Sequence, residues 1–209
     1  RCCRNETILN IIDPLNTGAT YDILLTEAAM LNCNSSPVLK EEPPTFVCVN
    51  RPLSLDNSAI DEEGDSLVYR LSTPLDGGIS IDNPRPRPAL PPPYNTVIWN
   101  APTYDLENIL GGNPLKIDAR TGLLTGTPNI IGQFVVGICI DEYRNGQFLS
   151  TTQRDFQYNV IPCEDVVAQF DLPAEQCEDL TIFPINQTGG EPDGFLWQFL
   201  DTQSSVLGT

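Results

Sequence analysis

Histidine is absent from this 209-residue chain, and Lys and Arg together number 11 against 28 Asp and Glu. The usual general base of serine and cysteine nucleophiles and the commonest zinc ligand are therefore both missing. A formal net charge of −17 argues against nucleic acid and anionic membrane surfaces as partners. No G-x-S-x-G elbow, phosphate-binding glycine loop or dinucleotide-binding glycine pattern occurs. We therefore expect a protein that is not an enzyme.

No apolar run is long enough to span a membrane, so we expect no membrane insertion. Seven cysteines are present, and none lies in a Cys-x-x-Cys or zinc-type pattern. Disulfides in an oxidising compartment explain them best, and their odd number leaves one thiol free or paired outside the chain. The chain begins at Arg1 rather than methionine, which is typical of a piece of a longer, exported protein.

The stretch from residue 116 to 160 predicts the centre of a β-sandwich. Apolar residues occupy both faces of one period-two run, with Phe134, Val136, Ile138 and Ile140 on one face and Val135, Gly137 and Cys139 on the other. Such a run is typical of a central strand that is covered on both sides. Asn145-Gly146 then predicts a tight hairpin turn, because both residues tolerate positive φ. On the return strand we expect Phe156, Tyr158 and Val160 to face inward and Asp155, Gln157 and Asn159 to face water.

The same stretch carries a resemblance. Asp118-Ala119-Arg120-Thr121-Gly122-Leu123-Leu124-Thr125-Gly126-Thr127-Pro128, followed by Gly132-Gln133-Phe134, resembles a signature of bacterial Ig-like and cadherin-like surface domains. Three further segments narrow the resemblance to very long surface proteins of gliding bacteria: residues 61–69, 142–146 and 154–157. Those proteins string such domains together with PKD domains and are exported by type IX secretion. The resemblance implies an architecture and an extracellular, cell-surface location rather than a chemistry.

Three segments are predicted along the chain. Residues 1–44 contain two short strands, which complete a domain begun upstream or lie on the next one. Residues 45–162 are expected to form the Ig-like or cadherin-like antiparallel sandwich, after a Glu41-Glu42-Pro43-Pro44 boundary. Residues 163–209 resemble the first half of a PKD domain, with Leu200 where its Trp-x-Phe-Gly-Asp element has glycine. The predicted fold class is all-β, a sandwich flanked by incomplete β-units.

Two disulfide pairings are predicted. Cys163 with Cys177 encloses a short loop at the start of the PKD-like unit. Cys48 with Cys139 joins two strands of the predicted sandwich, and Cys33 competes for Cys48. Adjacent cysteines rarely reach disulfide geometry, so Cys2 and Cys3 are expected to have more distant partners.

Asp61, Glu63 and Asp65 are the candidate calcium ligands. Alternating carboxylates present several hard oxygens to Ca²⁺, and Gly64 permits a sharp turn between them. The spacing is similar to half of an EF-hand loop, without its glycine position or its terminal bidentate glutamate. In cadherin-like domains the equivalent acidic loop often binds calcium at a domain junction. The alternative is an acidic turn whose side chains cap the backbone.

Tyr94, Trp99 and Tyr104 are the candidate carbohydrate-binding residues, because saccharide recognition needs an exposed aromatic platform; packing in the core is their alternative role. Two functions therefore compete. The first is a non-catalytic structural or adhesive module of a long extracellular cell-surface fibre, linked to gliding motility. The second is an accessory carbohydrate-binding module of a secreted polysaccharide-degrading enzyme. The expected partners are neighbouring β-domains of the same or identical chains and surface polysaccharide, and calcium is the one expected cofactor.

Overall fold

The computed structural model describes residues 4–78, 82–83, 85–163, 168–171, 185–189, 196, 198–200 and 206–208. The chain divides into two units, Arg1–Pro162 and Cys163–Thr209. It is all-β, as predicted. The strands described in the first unit are, in chain order, β1 (Asp22–Leu25), β2 (Val38–Leu39), β3 (Phe46–Cys48), β4 (Leu53–Asp56), β5 (Ala59–Ile60), β6 (Ser66–Ser72), β7 (Leu75–Asp76), β8 (Asn95–Thr96), β9 (Asn113–Ile117), β10 (Leu123–Thr127), β11 (Gly132–Arg144) and β12 (Gln147–Ile161).

Two sheets of the first unit enclose a shared core. One sheet has five strands in the order β1-β12-β11-β6, with β3 also paired to β12. The other has three strands in the order β4-β10-β9. All of these pairings are antiparallel except that of β3 with β12. Buried side chains from both sheets meet in one cluster, including Leu53, Leu115, Leu124, Phe134 and Tyr158. The arrangement is a β-sandwich.

Strand β11 is covered on both faces, which confirms the sequence prediction. Phe134, Val136 and Ile138 lie in the core between the two sheets. On the opposite face, Val135 packs in a second buried cluster with Ile8, Ile11 and Val97. The N-terminal segment, residues 4–44, supplies Ile8 and Ile11 and so covers this second face of β11. A strand that is covered on both faces needs apolar residues on both.

The turn between β11 and β12 is the predicted two-residue hairpin. Asn145 and Gly146 have φ of 51° and 81°, and Arg144 pairs with Gln147 across the turn. Positive φ at both central residues gives the turn a twist that matches that of the flanking strands. Local sequence chemistry is sufficient to specify this part of the fold.

The prediction for Asp155 on β12 is wrong. Its side chain does not face water: it is only 7% exposed and forms an ion pair with Arg4 at 2.6 Å. Arg4 also donates to the carbonyl oxygens of Gly18 and Leu75. The alternation correctly placed Asp155 opposite the core face, but the N-terminal segment covers that face and excludes solvent from it.

The N-terminal segment packs on the sandwich. Strand β1 pairs with residues 150–153 of β12, while Ile8 and Ile11 form single bridges to Gln133 and Trp99. A short helix, α1 (Glu27–Leu31), follows β1, and the Thr26 hydroxyl caps it by accepting from the Ala29 amide. The sequence left two placements open for residues 1–44: completing an upstream domain, or lying on the next domain. The structure shows that the segment lies on the sandwich. Completion of an upstream domain stays a prediction.

Cys48 and Cys163 form a disulfide. Cys48 ends β3 opposite Ile161, the last residue of β12, and Cys163 follows Ile161 by two positions. The parallel pairing of β3 with β12 therefore brings the two cysteines together. The predicted pairing of Cys163 with Cys177 is replaced by this bond, and Cys177 itself lies outside the described residues, as do Cys2 and Cys3.

The predicted bond between Cys48 and Cys139 is also wrong, because Cys139 is a free, buried thiol. It lies opposite Gln153 on β12, whereas Cys48 lies opposite Ile161. Eight residues of strand separate these two levels of the sheet, roughly 26 Å. Disulfide geometry needs Cα atoms within about 7 Å. Cys33, the competing candidate, is a free and exposed thiol.

In the second unit the structure describes two short antiparallel pairs. They are β13 (Phe170–Asp171) with β14 (Ile185–Asn186), and β15 (Phe199–Leu200) with β16 (Val206–Gly208). Trp197, the aromatic residue of the predicted PKD-like element, falls outside the described residues. Across the described part of the chain, no helix combines the length and apolar character needed to cross a membrane.

Candidate metal-binding site

The acidic loop, residues 61–65, connects β5 to β6. The Asp61 carboxylate accepts a hydrogen bond from the Asp65 amide at 2.6 Å. Gly64 has φ of +79°, a conformation that side-chain-bearing residues rarely adopt. Its amide donates to the Asp61 carbonyl oxygen at 3.4 Å. These bonds close the loop on itself and hold its acidic side chains on one short turn.

The three predicted ligands are brought together. Asp61, Glu63 and Asp65 each offer a carboxylate oxygen, and these oxygens all lie within 4.8 Å of one another. Oxygens bound to the same Ca²⁺ lie at most about 5 Å apart, twice the usual Ca–O distance. The spacing therefore fits one calcium ion with little rearrangement.

Two of the three carboxylates, those of Glu63 and Asp65, already have hydrogen-bond partners. Glu63 accepts from the Ser35 hydroxyl at 2.7 Å and from the Ser35 amide at 3.2 Å. The Ser35 hydroxyl and amide bonds hold the pKa of Glu63 below its usual value. Asp65 accepts two hydrogen bonds from Arg144, both at 2.7 Å. A carboxylate has about four lone-pair sites, so Asp65 retains acceptor capacity for a cation while it is paired with Arg144.

Glu142 is the residue of this site that sequence reasoning missed. Its side chain is completely buried beneath the loop, where one carboxylate oxygen accepts from Asn34 at 3.2 Å and from the Ser150 hydroxyl. Its other oxygen, Oε1, has no hydrogen-bond partner, and neither does the buried Oδ2 of Asp61. The carboxyl groups of Asp61 and Glu142 lie within hydrogen-bonding reach of each other, so a proton on one of them would satisfy both, and a cation beside them could replace that proton.

The pKa of Glu142 reflects its burial and the acids around it. Burial, followed by the neighbouring carboxyl groups of Asp61 and Asp65, raises its pKa to about 7. A divalent cation would remove that penalty, because it converts the repulsion between these acids into shared attraction to the ion. The sequence carried one signal for Glu142. It continues the inward-facing run of Phe134, Val136, Ile138 and Ile140 by two residues, so an acid stands where the period demands an apolar side chain.

The N-terminal segment encloses one side of the loop. Arg144 donates to the Asn32 carbonyl oxygen at 3.3 Å and to Asn34 Oδ1 at 3.1 Å. On another side, an open depression of about 650 Å³ adjoins Asp61 and Asp65 and is also lined by Lys40, Asp56, Tyr69 and Arg120. The site is thus bordered by protein on one side and open to ions on another.

The three aromatic candidates for carbohydrate binding do not form a platform. Tyr104 is 6% exposed and packs edge-on against Phe134 in the core, with ring centroids 5.8 Å apart. Trp99 is half-buried and packs against both hydrophobic clusters. Tyr94 is partly exposed. Core packing, the alternative role, accounts for Tyr104 and for most of the Trp99 surface.

Comparisons with known proteins give no match: no family model, no curated protein sequence and no solved structure is similar to this chain.

Proposed function

We propose that this chain is a non-catalytic structural and adhesive module of an extracellular, cell-surface fibre, and that calcium bound by its acidic loop stiffens it. The observation that carries the calcium part is the convergence of Asp61, Glu63 and Asp65, with the buried carboxyl group of Glu142 next to Asp61. Three carboxylate oxygens within 4.8 Å of one another match the ligand chemistry of Ca²⁺, which completes its shell with carbonyl oxygens and water.

Stiffening follows from which parts of the chain the loop joins. Glu63 bonds Ser35 of the N-terminal segment, and Glu142 and Arg144 of β11 bond Asn34. A cation at this point would tie the segment, the loop and the central hairpin together. In a module that transmits force along a fibre, such a tie would resist peeling of the first strand.

Two observations support an extracellular, non-enzymatic role, and a third bears on the carbohydrate-module alternative. The disulfide between Cys48 and Cys163 suits an oxidising compartment. The sequence has no histidine and no catalytic motif. The carbohydrate-module alternative is weaker, because the burial of Tyr104 removes one third of its proposed platform. Three parts of the proposal rest only on the family resemblance described above: gliding motility, type IX export, and neighbouring β-domains as partners.

The calcium part is tested by removing single ligands. The full chain is stripped with chelator, and its thermal unfolding is followed as Ca²⁺ is added. Saturation at 100 times Kd should stabilise the folded state by about 2.7 kcal/mol, which raises Tm by roughly 5–10 °C at this size. Glu63→Gln should reduce the shift. Glu62→Gln is the matched control, because Glu62 is exposed in the same loop but is not one of the clustered acids.

The fibre part is tested by solution size and by ligand binding. Light scattering with and without Ca²⁺ should show calcium-dependent association or stiffening. A compact monomer that ignores calcium and binds soluble polysaccharide would instead establish the accessory-module function. Equal Ca²⁺-induced Tm shifts in wild type, Glu63→Gln and Glu62→Gln would rule out the loop as the calcium site.

A further inference from the structure

The outer edge of β12 is only partly paired. Strand β1 pairs with residues 150–153 and β3 with residues 159–161, while β11 runs along the other side of β12. Residues 154–158 therefore have no neighbouring strand on the outer side within the described part of the chain. Below, "the gap" means this five-residue interval, about 17 Å of strand.

Backbone groups point into the gap. On the outer side, the Asn159 amide donates to the Thr45 carbonyl oxygen and the Ile161 carbonyl oxygen accepts from Val49. Alternate residues of a strand direct their N–H and C=O groups to the same side. Asp155 and Gln157 therefore direct theirs into the gap, where the described residues give them no backbone partner. An unpaired strand edge of this kind is a template for a further strand.

Space for side chains exists on both faces of the gap. A cavity of about 440 Å³ is lined by the start of β1, by residues 152–156 of β12 and by Pro37 and Glu42. Phe156, which faces the sandwich core, forms part of its wall. A smaller cavity of about 100 Å³, on the opposite face, is lined by Arg4, Ile8, Val135 and Asp155, among others. A strand in the gap would place successive side chains alternately in the two cavities.

The acidic residues around the gap indicate what kind of strand would bind there. Asp155 is already paired with Arg4, which leaves Asp22 and Glu42 as acids in the larger cavity against one base, Arg154. A second copy of this chain would bring a net charge of −17 to an acidic rim. Electrostatic complementarity therefore favours a cationic partner.

We propose that the gap is a docking site for an extended, basic peptide segment of a partner protein, which adds as a strand to the edge of β12. Lys or Arg at alternate positions would reach Asp22 and Glu42 in the larger cavity, and small apolar residues would fill the smaller one. The main-chain bonds to Asp155 and Gln157 would supply affinity and the two cavities specificity. This site is independent of the proposed calcium site.

The test uses the full chain in chelator and a capped pentapeptide, Lys-Val-Lys-Val-Lys, whose extended length of about 17 Å matches the gap. In the free protein, the amides of Asp155 and Gln157 should exchange quickly with deuterium. Adding the peptide should slow both amides and give saturable binding by fluorescence polarisation. Two control peptides should bind poorly: one N-methylated at alternate residues, which cannot donate to the edge, and one with Glu in place of Lys.

Protein variants locate the binding. Glu42→Lys should weaken binding of the pentapeptide roughly fivefold, from reversal of one exposed charge pair. Glu107→Lys changes the net charge equally at an exposed residue that lines neither cavity, and should leave Kd within about twofold of wild type. Slow exchange of both amides in the free protein would overturn the proposal. So would equal binding of the N-methylated peptide, absence of saturable binding, or self-association that protects the same amides.

Discussion

Replacing Glu142 with glutamine should change how the stability of the protein depends on pH. Burial and the nearby acids raise the pKa of this carboxyl group from 4.5 to about 7. At 1.36 kcal/mol per unit, the shift corresponds to about 3 kcal/mol. Below pH 4.5 the group is protonated whether the chain is folded or unfolded. As pH rises to 7, the unfolded chain releases this proton first, so the free energy of unfolding falls by about 3 kcal/mol through this group.

The assay is urea unfolding in chelator at several pH values from 4.5 to 8. Glutamine keeps the shape and an acceptor oxygen but does not titrate, so Glu142→Gln should lose less stability than wild type as pH rises. Subtracting the two pH profiles removes the contribution of all other acids. Glu63→Gln is the contrasting control: the pKa of Glu63 is lowered, so its contribution to stability changes only below about pH 4.5, and this variant should keep the wild-type slope across the assay range. Identical pH profiles for wild type and Glu142→Gln would refute the reasoning, and Ca²⁺ should flatten the wild-type profile.

Three further outcomes are expected. Arg4→Ala should destabilise the protein by roughly 3–5 kcal/mol in urea unfolding, because it leaves Asp155 buried without its ion-pair partner; a loss below about 1 kcal/mol would mean that water reaches the carboxylate. Leu124→Ala should cost roughly 2–5 kcal/mol by the same measurement, since Leu124 is fully buried between the two sheets, and a near-neutral result would contradict the sandwich core. With peptide mapping as readout, a thiol reagent should label Cys33 in the folded protein and Cys139 only on unfolding; early labelling of Cys139 would contradict its burial.

The sequence predicted those parts of the fold that depend on local chemistry. The alternation from Phe134 to Ile140 identified a strand covered on both faces, because burial on both sides needs apolar residues at every position. Asn145-Gly146 identified the hairpin, since few other pairs adopt positive φ twice in succession. Both features are set by neighbouring residues and need no knowledge of how distant strands pair.

The sequence did not predict features that depend on register between distant strands. The Cys48–Cys163 bond follows from the parallel pairing of β3 with the end of β12, and no periodicity reveals that pairing. The same limit explains Asp155. Period-two alternation gives the face on which a residue lies, but it does not reveal that Arg4, far away in the chain, covers that face.

The acidic site combines residues that the sequence predicted with one that it did not. Asp61, Glu63 and Asp65 are near neighbours in sequence, so a local turn brings their oxygens together and composition alone suggests a cation. Glu142 joins them only because β11 pairs with β6, whose first residue follows the loop directly. The sequence nevertheless shows that Glu142 is an exception, because an acid occupies an inward-facing position in an otherwise apolar run. An acid at a core position of a strand is costly unless something compensates for it.

Residues 4–44 explain why the sandwich is more than two facing sheets. They cover the Val135 face of β11 with Ile8 and Ile11, and they pair Arg4 with Asp155. Along the edge of β12, however, the described part of this segment adds only β1, which leaves residues 154–158 without a strand. The segment therefore covers the part of the sheet face around Val135 and Asp155, and it leaves the adjoining edge of β12 open. Apolar surface is protected at the face, while main-chain hydrogen-bonding groups stay available at the edge, the combination that strand addition from another protein requires.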